Sequence, residues 1–331
     1  RGEPVEPRTV PLLEVRDLRV DYATPRGPLH AVDSLSFDLS AGQSLGLVGE
    51  SGCGKTTLAL AILRVLPENS RISGTIRFDG QDILSLDEEP MRRLRGKRIG
   101  FIPQGALNAF SPVHTIGSHI AEVLEVHNGL VPRESWSRAE EALVLAGLTP
   151  DAARRYPHEL SGGMRQRAVV ALALACKPSL LIADEPATAL DTIVQRRLLD
   201  QLQGLQRDLG MAMLYISHDL AAVATVASRL AIMYAGQIAE EGPTRHLLTA
   251  PKHPYTSALI ACTPRLAGPR AMPVPIPGDP PDLATPPTGC RFHPRCPRAS
   301  ERCAVETPSL AAADGRVVAC WHPLGPPGEV R

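Results

Sequence analysis

Aromatic side chains are scarce in this 331-residue chain, 4% of the total, and there is no excess of charge, with 35 basic residues against 35 acidic ones. A neutral, aromatic-poor chain offers neither the field that draws nucleic acid or an anionic membrane nor a surface on which bases stack. Long hydrophobic runs are also missing. The longest, Ala168 to Cys176, is far shorter than the ~20 apolar residues that cross a bilayer. No apolar stretch follows the first charged residues, so no secretion signal is expected and the cytosol is the expected compartment. No internal repeat is visible. The length suits one large domain with an appendage, or two modest domains.

Cysteine and proline are unevenly placed. Of seven cysteines, Cys53, Cys176 and Cys262 are scattered, whereas Cys290, Cys296, Cys303 and Cys320 crowd the end in a C-x5-C-x6-C-x16-C pattern. Eighteen of the 32 prolines lie from Pro243 onward, some in runs such as Pro273-Val274-Pro275-Ile276-Pro277. Proline removes a donor and fixes φ, so this tail is predicted to form neither a regular sheet nor a long helix bundle.

Upstream, Leu12 to Val20 and Ala31 to Leu39 alternate as strands of an antiparallel edge sheet do. Ser44 to Val48 is a short apolar strand entering a Gly-rich turn. Residues 115 to 175 read as mostly helical. Leu180 to Ala183 and Ala212 to Ser217 read as buried strands, each followed by a helix. This alternation predicts an α/β fold whose mainly parallel sheet is covered on both faces.

Three motifs carry chemistry. Gly49-Glu50-Ser51-Gly52-Cys53-Gly54-Lys55-Thr56, followed by Thr57, matches GxxxxGK[ST] between a strand and an apolar helix. Glycines let successive N–H groups turn toward phosphate oxygens, and the helix start adds its positive dipole end. Lys55 would reach the β- and γ-phosphates, and the Thr56 hydroxyl would ligate Mg²⁺. Leu180-Leu181-Ile182-Ala183-Asp184-Glu185 delivers two carboxylates at a buried strand's end, where open α/β sheets bind ligands. Asp184 is placed for the magnesium shell and Glu185 to polarise an attacking water as general base. Leu160-Ser161-Gly162-Gly163-Met164-Arg165-Gln166-Arg167 precedes an apolar helix, and Ser161 and Gly163 offer a second anion-binding helix start. One chain already has one phosphate cradle. A separate second one makes sense where two chains sandwich nucleotides.

With this third motif the chain resembles the ATP-binding-cassette (ABC) ATPases, whose signature is LSGGQ-like. The resemblance spans roughly residues 12 to 245. It implies an ABC-type P-loop core of mainly parallel sheet with an antiparallel edge sheet, and a helical signature subdomain at about 105–175. It places Ser161, Gly162, Gly163 and Gln166 against a nucleotide bound by the other subunit. Tyr22, about 27 residues before the P-loop, falls where the family stacks adenine. Gln104 matches the Q-loop residue that senses Mg²⁺, Ala189-Leu190-Asp191 the D-loop that meets the opposing subunit, and His218 the switch histidine. The resemblance implies Glu185, His218 and Gln104 as catalytic residues, and Mg²⁺ held by Thr56, Gln104 and Asp184.

Soluble DNA-repair and translation relatives carry coiled-coil insertions or tandem cassettes, and this chain shows neither. His253 to Leu259, Gly289 to Pro297 and Cys320 resemble the C-terminal extension of oligopeptide, dipeptide and nickel importer ATPases, which here would be residues 246–331. That resemblance implies an ATPase subunit powering peptide import from the cytoplasmic face of the membrane. Its partners would be a second, different ATPase subunit, two transmembrane permeases and an extracytoplasmic substrate-binding protein, with no nucleic acid. Nickel or another small solute, and a soluble non-transport ABC ATPase, are the alternatives. After Gln104 the stretch Gly105 to Pro112 departs from the family's Asp-Pro-Met type, which bears on the permease partner. Four thiols in a Pro-rich tail suggest a metal centre that folds it. Their wide gaps and Pro297 suit an all-Cys iron–sulfur cluster more than zinc, which prefers closer pairs. The importer resemblance also implies a [4Fe–4S] cluster on Cys290, Cys296, Cys303 and Cys320. Zinc, unlinked thiols and two disulfides remain the other readings.

Overall fold

The computed structural model describes residues 10–105, 109–188, 190–263 and 274–325. Residues 106–108 of the stretch after Gln104, Ala189 of the D-loop match and Pro273 lie outside these. In chain order the elements begin with β1 (Leu13–Thr24), β2 (Gly27–Leu39), β3 (Ser44–Val48), α1 (Lys55–Leu63), β4 (Ser70–Phe78) and β5 (Gln81–Asp82). There follow α2 (Glu88–Leu94), β6 (Ile99–Ile102), α3 (Ile116–Asn128), α4 (Pro132–Leu145), α5 (Gly162–Leu174), β7 (Leu180–Asp184) and α6 (Thr192–Leu209). Then come β8 (Ala212–Ser217), α7 (Leu220–Val226), β9 (Arg229–Tyr234), β10 (Gln237–Pro243) and α8 (Thr244–Thr249). The tail adds α9 (Pro254–Cys262), α10 (Glu301–Val305), β11 (Ala311–Ala313) and β12 (Arg316–Val318).

The described residues form two compact units, one within Arg1–Leu13, Leu39–Gln43 and Arg77–Tyr215, the other within Glu14–Asp38, Ser44–Ile76 and Ile216–Arg331. In the first, β6 and β7 pair in parallel, Ile99 opposite Leu180 through Ile102 opposite Ala183, and β8 lies beside β7. All five residues of β7 are buried, as expected of a strand covered on both faces. The predicted helical stretch is α3, α4 and α5 with two 3₁₀ turns between them. On α3, Ile116, Ile120 and Leu124 recur every four residues and are buried. Thr115 caps its start by accepting the Ser118 N–H, and Gly129 closes its end in the left-handed region.

In the second unit β1 and β2 form the predicted edge sheet with β4. Strand β3, buried throughout, pairs in parallel with β9. From β9 the pairing turns antiparallel through β10 to β12 and then β11. The proline-rich tail thus does contribute sheet, though only a hairpin of two three-residue strands. Its prolines fall outside both strands, so neither loses a ladder donor.

An aromatic cluster seats the tail within this unit. Tyr234 of β9 lies 4.6 Å from Tyr255 and 5.1 Å from Phe292, ring centre to ring centre, and Phe292 lies 5.3 Å from Tyr255. Phe292 is 1% exposed. His253, 5.9 Å from Phe292, caps α9 through Nδ1, which accepts the Tyr255 N–H at 3.0 Å. Burial pushes its pKa down from 6.5 to about 4, and a backbone bond with Ala319 offsets only part of that. The unfolded chain therefore takes up a proton near pH 6.5 that the folded one refuses until about pH 4. Stability falls as pH drops through that window and levels below it. Urea unfolding should register a His253 contribution of about 3 kcal/mol between pH 7 and pH 4. His253→Asn, which keeps a capping acceptor and cannot titrate, should flatten that slope; an unchanged slope would exclude His253 as its source.

Candidate functional site

In the second unit β3 runs directly into the loop 49–54 and on into α1. Steric space requires glycine at both ends of this loop. A Cβ at Gly49 would stand 2.1 Å from the Met233 carbonyl oxygen; at Gly54, where φ is +106°, it would stand 2.0 Å from that of Ala31. No side chain caps the start of α1, so its first-turn N–H groups and dipole are left for an anion. The Lys55 side chain, 6% exposed, curls back over the loop. Its ammonium donates to the carbonyls of Gly49 at 2.8 Å and Glu50 at 2.9 Å and lies 3.7 Å from Cys53 Sγ. Burial pushes the Cys53 thiol up more than Lys55 pulls it down, so Cys53 contributes its backbone and not a reactive thiolate. Tyr22 Oη donates to Thr57 Oγ1 at 3.2 Å, joining β1 to α1. His218 is exposed at the end of β8. A glycine-lined loop, a buried ammonium held on backbone carbonyls and sulfur within the loop, and an uncapped helix start fit a polyphosphate such as that of ATP.

The first unit holds the remaining predicted residues. At the end of β7, Asp184 is buried and Glu185 half-buried, with φ of +48° at Glu185. A non-glycine residue in the left-handed region stores on the order of 1 kcal/mol, and such strain gathers at functional sites. Gln104 Nε2 donates to Glu185 Oε2 at 3.4 Å and Thr188 Oγ1 to the same oxygen at 2.9 Å. Gln104 and Glu185, 81 residues apart, are thereby brought together. Ser161 caps α5 by accepting the Met164 N–H at 3.3 Å; a Cβ on Gly162 would meet open space. Gln166 differs from its neighbours, being 3% exposed. Its side chain packs into the unit that carries it. Asp191 Oδ1 accepts the N–H groups of Ile193 at 3.1 Å and Val194 at 3.0 Å, making it the N-cap of α6.

The tail thiols of Cys290, Cys296, Cys303 and Cys320 line one small cavity with His293 and His322. Burial first, and the neighbouring cysteines after it, push the Cys320 thiol up to about 11; burial also raises Cys290 and Cys296. Ser300 Oγ and Cys303 Sγ lie 3.5 Å apart, and the His322 N–H points to Cys320 Sγ at 3.4 Å. Among the described residues, however, no group of three or more His, Cys, Asp or Glu side chains stands in a metal-holding arrangement. The four cysteines of the expected centre thus share a cavity without standing at ligand spacing in this structure. In donor chemistry the set fits an all-cysteine centre, and its four residues line one cavity.

The ABC transporter family profile matches residues 32–188, and the profile for the oligopeptide/dipeptide transporter C-terminal region matches residues 239–303. The oligopeptide transport ATP-binding protein OppD of Salmonella typhimurium is 43% identical over 316 residues, covering 95% of this chain and 94% of its own length. OppD of Escherichia coli is 41% identical over 331 residues, with coverage of 97% and 98%. This chain belongs to the oligopeptide branch of the ABC transporter ATP-binding proteins. The fold agrees: a dimeric ATP-binding cassette, MJ0796, in a post-hydrolysis state bound to ADP and Pi, superposes with a TM-score of 0.63 over 70% of this chain and 99% of that one at 24% identity.

In this ABC ATPase no sequence motif marks Thr188, Tyr255 or Arg295 as site residues, although Tyr255 and Arg295 lie in the stretches that resemble the importer extension. Thr188 is bound to Glu185, and three positions separate them, so a hydroxyl one turn after an acidic strand end was the available signal. The partners of Tyr255 and Arg295 lie over 200 positions away in the P-loop, which no local pattern betrays. The capping geometry of Asp191 has a measurable consequence. In urea unfolding of the isolated chain Asp191→Ala should cost about 1 kcal/mol and Asp191→Asn a few tenths. Equal losses for the two would show that capping is not what Asp191 contributes to the fold.

Proposed function

We propose that this chain is the ATP-hydrolysing subunit of a peptide importer and that it works at the cytoplasmic face of the membrane as a peripheral subunit. The observation that carries the reading is the extent of the OppD similarity, which runs through cassette and Cys-rich tail alike over 316 residues. Among the described residues no helix is long and apolar enough to cross a membrane, consistent with an engine that borrows its membrane path from other subunits. In this reading residues 12–245 are the ATPase domain, residues 105–175 carry the signature, and residues 246–331 are the extension.

The nucleotide is held from two chains. Gly49 to Thr57 cradle its phosphates, Lys55 exchanges the loop carbonyls for phosphate oxygens, and Tyr22 supports the base. The Ser161-Gly162-Gly163 helix start closes from a second ATPase subunit, with Asp191 at the junction and Gln166 bracing that helix from within. Mg²⁺, when bound, screens phosphate charge, and Thr56, Asp184 and Gln104 would hold it. Glu185 takes the proton from the attacking water, held by Gln104 and Thr188 and with its backbone already in a constrained conformation. His218 steadies the terminal phosphate. Closure and reopening of the two cassettes then move two permeases between states, and an extracytoplasmic binding protein delivers the peptide. In the tail, Cys290, Cys296, Cys303 and Cys320 would hold a [4Fe–4S] cluster, with zinc the alternative; its contribution is structural, tying together a segment with little core of its own.

Glu185→Gln should leave nucleotide binding and subunit pairing intact while turnover falls at least ~100-fold; native turnover in that variant removes Glu185 as the base. Native isolation tests the wider reading. The full chain should co-purify with membrane permeases and hydrolyse ATP faster when peptide-loaded binding protein is added. Stimulation by a nickel-loaded protein instead, or purification without membrane partners, would contradict it. The same sample should contain about four irons and four sulfides per chain; one zinc per chain would replace the cluster.

A further inference from the structure

The segment between Cys290 and Cys296 carries two arginines; within the second unit Arg295 reaches the phosphate loop and Arg291 reaches Ala235 and Asp33. Arg295 forms a two-pronged ion pair with Glu50, Nη1 to Oε2 at 2.7 Å and Nη2 to Oε1 at 3.0 Å. Its Nε donates to the Pro277 carbonyl at 2.9 Å and its Nη1 also to Tyr234 Oη at 3.2 Å. Arg291 donates to the Ala235 carbonyl and, at 2.6 Å, to Asp33. The next residue along, Gly236, gives its N–H to the Cys53 carbonyl at 2.9 Å. From α9, Tyr255 Oη accepts the Glu50 N–H at 3.1 Å. Residue 50 is therefore held at every polar group it has: the N–H by Tyr255, the carboxylate by Arg295, the carbonyl by Lys55.

Stability alone gives a poor reason for this pair. The Arg295 side chain is 6% exposed and that of Glu50 21%, and a desolvated ion pair is worth little more than apolar residues of the same shape. What the pair does supply is a fixed direction for the loop and a neutralised carboxylate. Without Arg295, Glu50 would present a bare negative charge in the very loop that must receive phosphates. We propose that Arg295 is a positioning residue for the nucleotide cradle, through which the cysteine-bearing tail orients and charge-balances Glu50. The extension is then part of the ATP site's support and not an independent appendage. This inference rests on the assignment of Gly49 to Thr57 as the cradle.

The test measures binding of a fluorescent ATP analogue with Mg²⁺ to the full-length chain, with steady-state ATPase in the assembled transporter as a second readout. Arg295→Gln should weaken binding about tenfold, the scale of one lost charged hydrogen-bonding interaction, and in the transporter the loss should fall on KM for ATP more than on kcat. Adding Glu50→Gln to that variant removes the bare carboxylate and should restore affinity to within about threefold. A purely structural tie predicts the opposite, with the double variant binding no better than Arg295→Gln. Unchanged affinity in Arg295→Gln, with only a lower melting temperature, would also overturn the proposal. Should Arg295→Gln not fold, Arg295→Lys keeps the charge and loses the two-pronged geometry; it should bind within about threefold of the native chain, and a loss of about tenfold would overturn the charge-balancing role. Lys55→Ala separates the two levels. If that variant binds nucleotide normally, the cradle assignment itself fails; if it does not bind while Arg295→Gln binds normally, only the role of Arg295 fails.

Discussion

A buried ammonium must be surrounded by oxygen, and most of the candidate site's geometry follows from how this chain meets that demand at Lys55. The carbonyls of Gly49 and Glu50 bind it. For those carbonyls to turn inward the loop must bend back on itself, which fixes glycine at positions 49 and 54 where neighbouring carbonyls leave no room for a Cβ. The same bend ends at a helix start that no side chain caps. A polyphosphate would offer the ammonium stronger acceptors and give the helix start an anion, so binding would replace one set of satisfied groups by a stronger one. Cys53, inside the loop, is kept a neutral thiol by its burial and takes no part in that exchange.

A quarter of the chain's few aromatic residues gather behind this loop. Three of the chain's twelve, Tyr234, Tyr255 and Phe292, pack together, and two of them belong to the extension. Burial at that point substitutes for the core that a proline-rich segment has difficulty building. From it extend the polar ties to the loop: the Tyr255 hydroxyl to the Glu50 N–H, and the neighbouring Arg295 to the Glu50 carboxylate. A chain of packing thus runs from the cysteine-bearing segment to Glu50 in the phosphate loop without leaving one compact unit.

Strands such as Ser44–Val48, Leu180–Asp184 and Ala212–Ser217 were legible because every residue in them is buried and the apolar run says so directly. The P-loop, the acidic strand end and the Ser161 helix start were legible because phosphate chemistry allows few residue types at fixed spacing. Other features depend on distant partners. Strands β11 and β12 have no strong pattern of their own and form by adding to β10. The burial of Gln166 reflects which side of α5 faces inward, information carried by the surrounding helices. The four tail cysteines were legible as a group, and they do line one cavity, yet spacing could not say whether their sulfurs close on a point. The Glu50–Arg295 pair, 245 positions apart, has no local signature.

The account stands on one claim: the terminal phosphate is gripped by two polypeptides, the Lys55 loop of one and a helix tip like that at Ser161 of the other. A structure of the assembled transporter trapped with a non-hydrolysable nucleotide measures this directly. The account predicts signature-loop N–H groups from the facing subunit within hydrogen-bond distance of the γ-phosphate. A γ-phosphate bound by one chain alone, its far side open to water in the closed assembly, would contradict it.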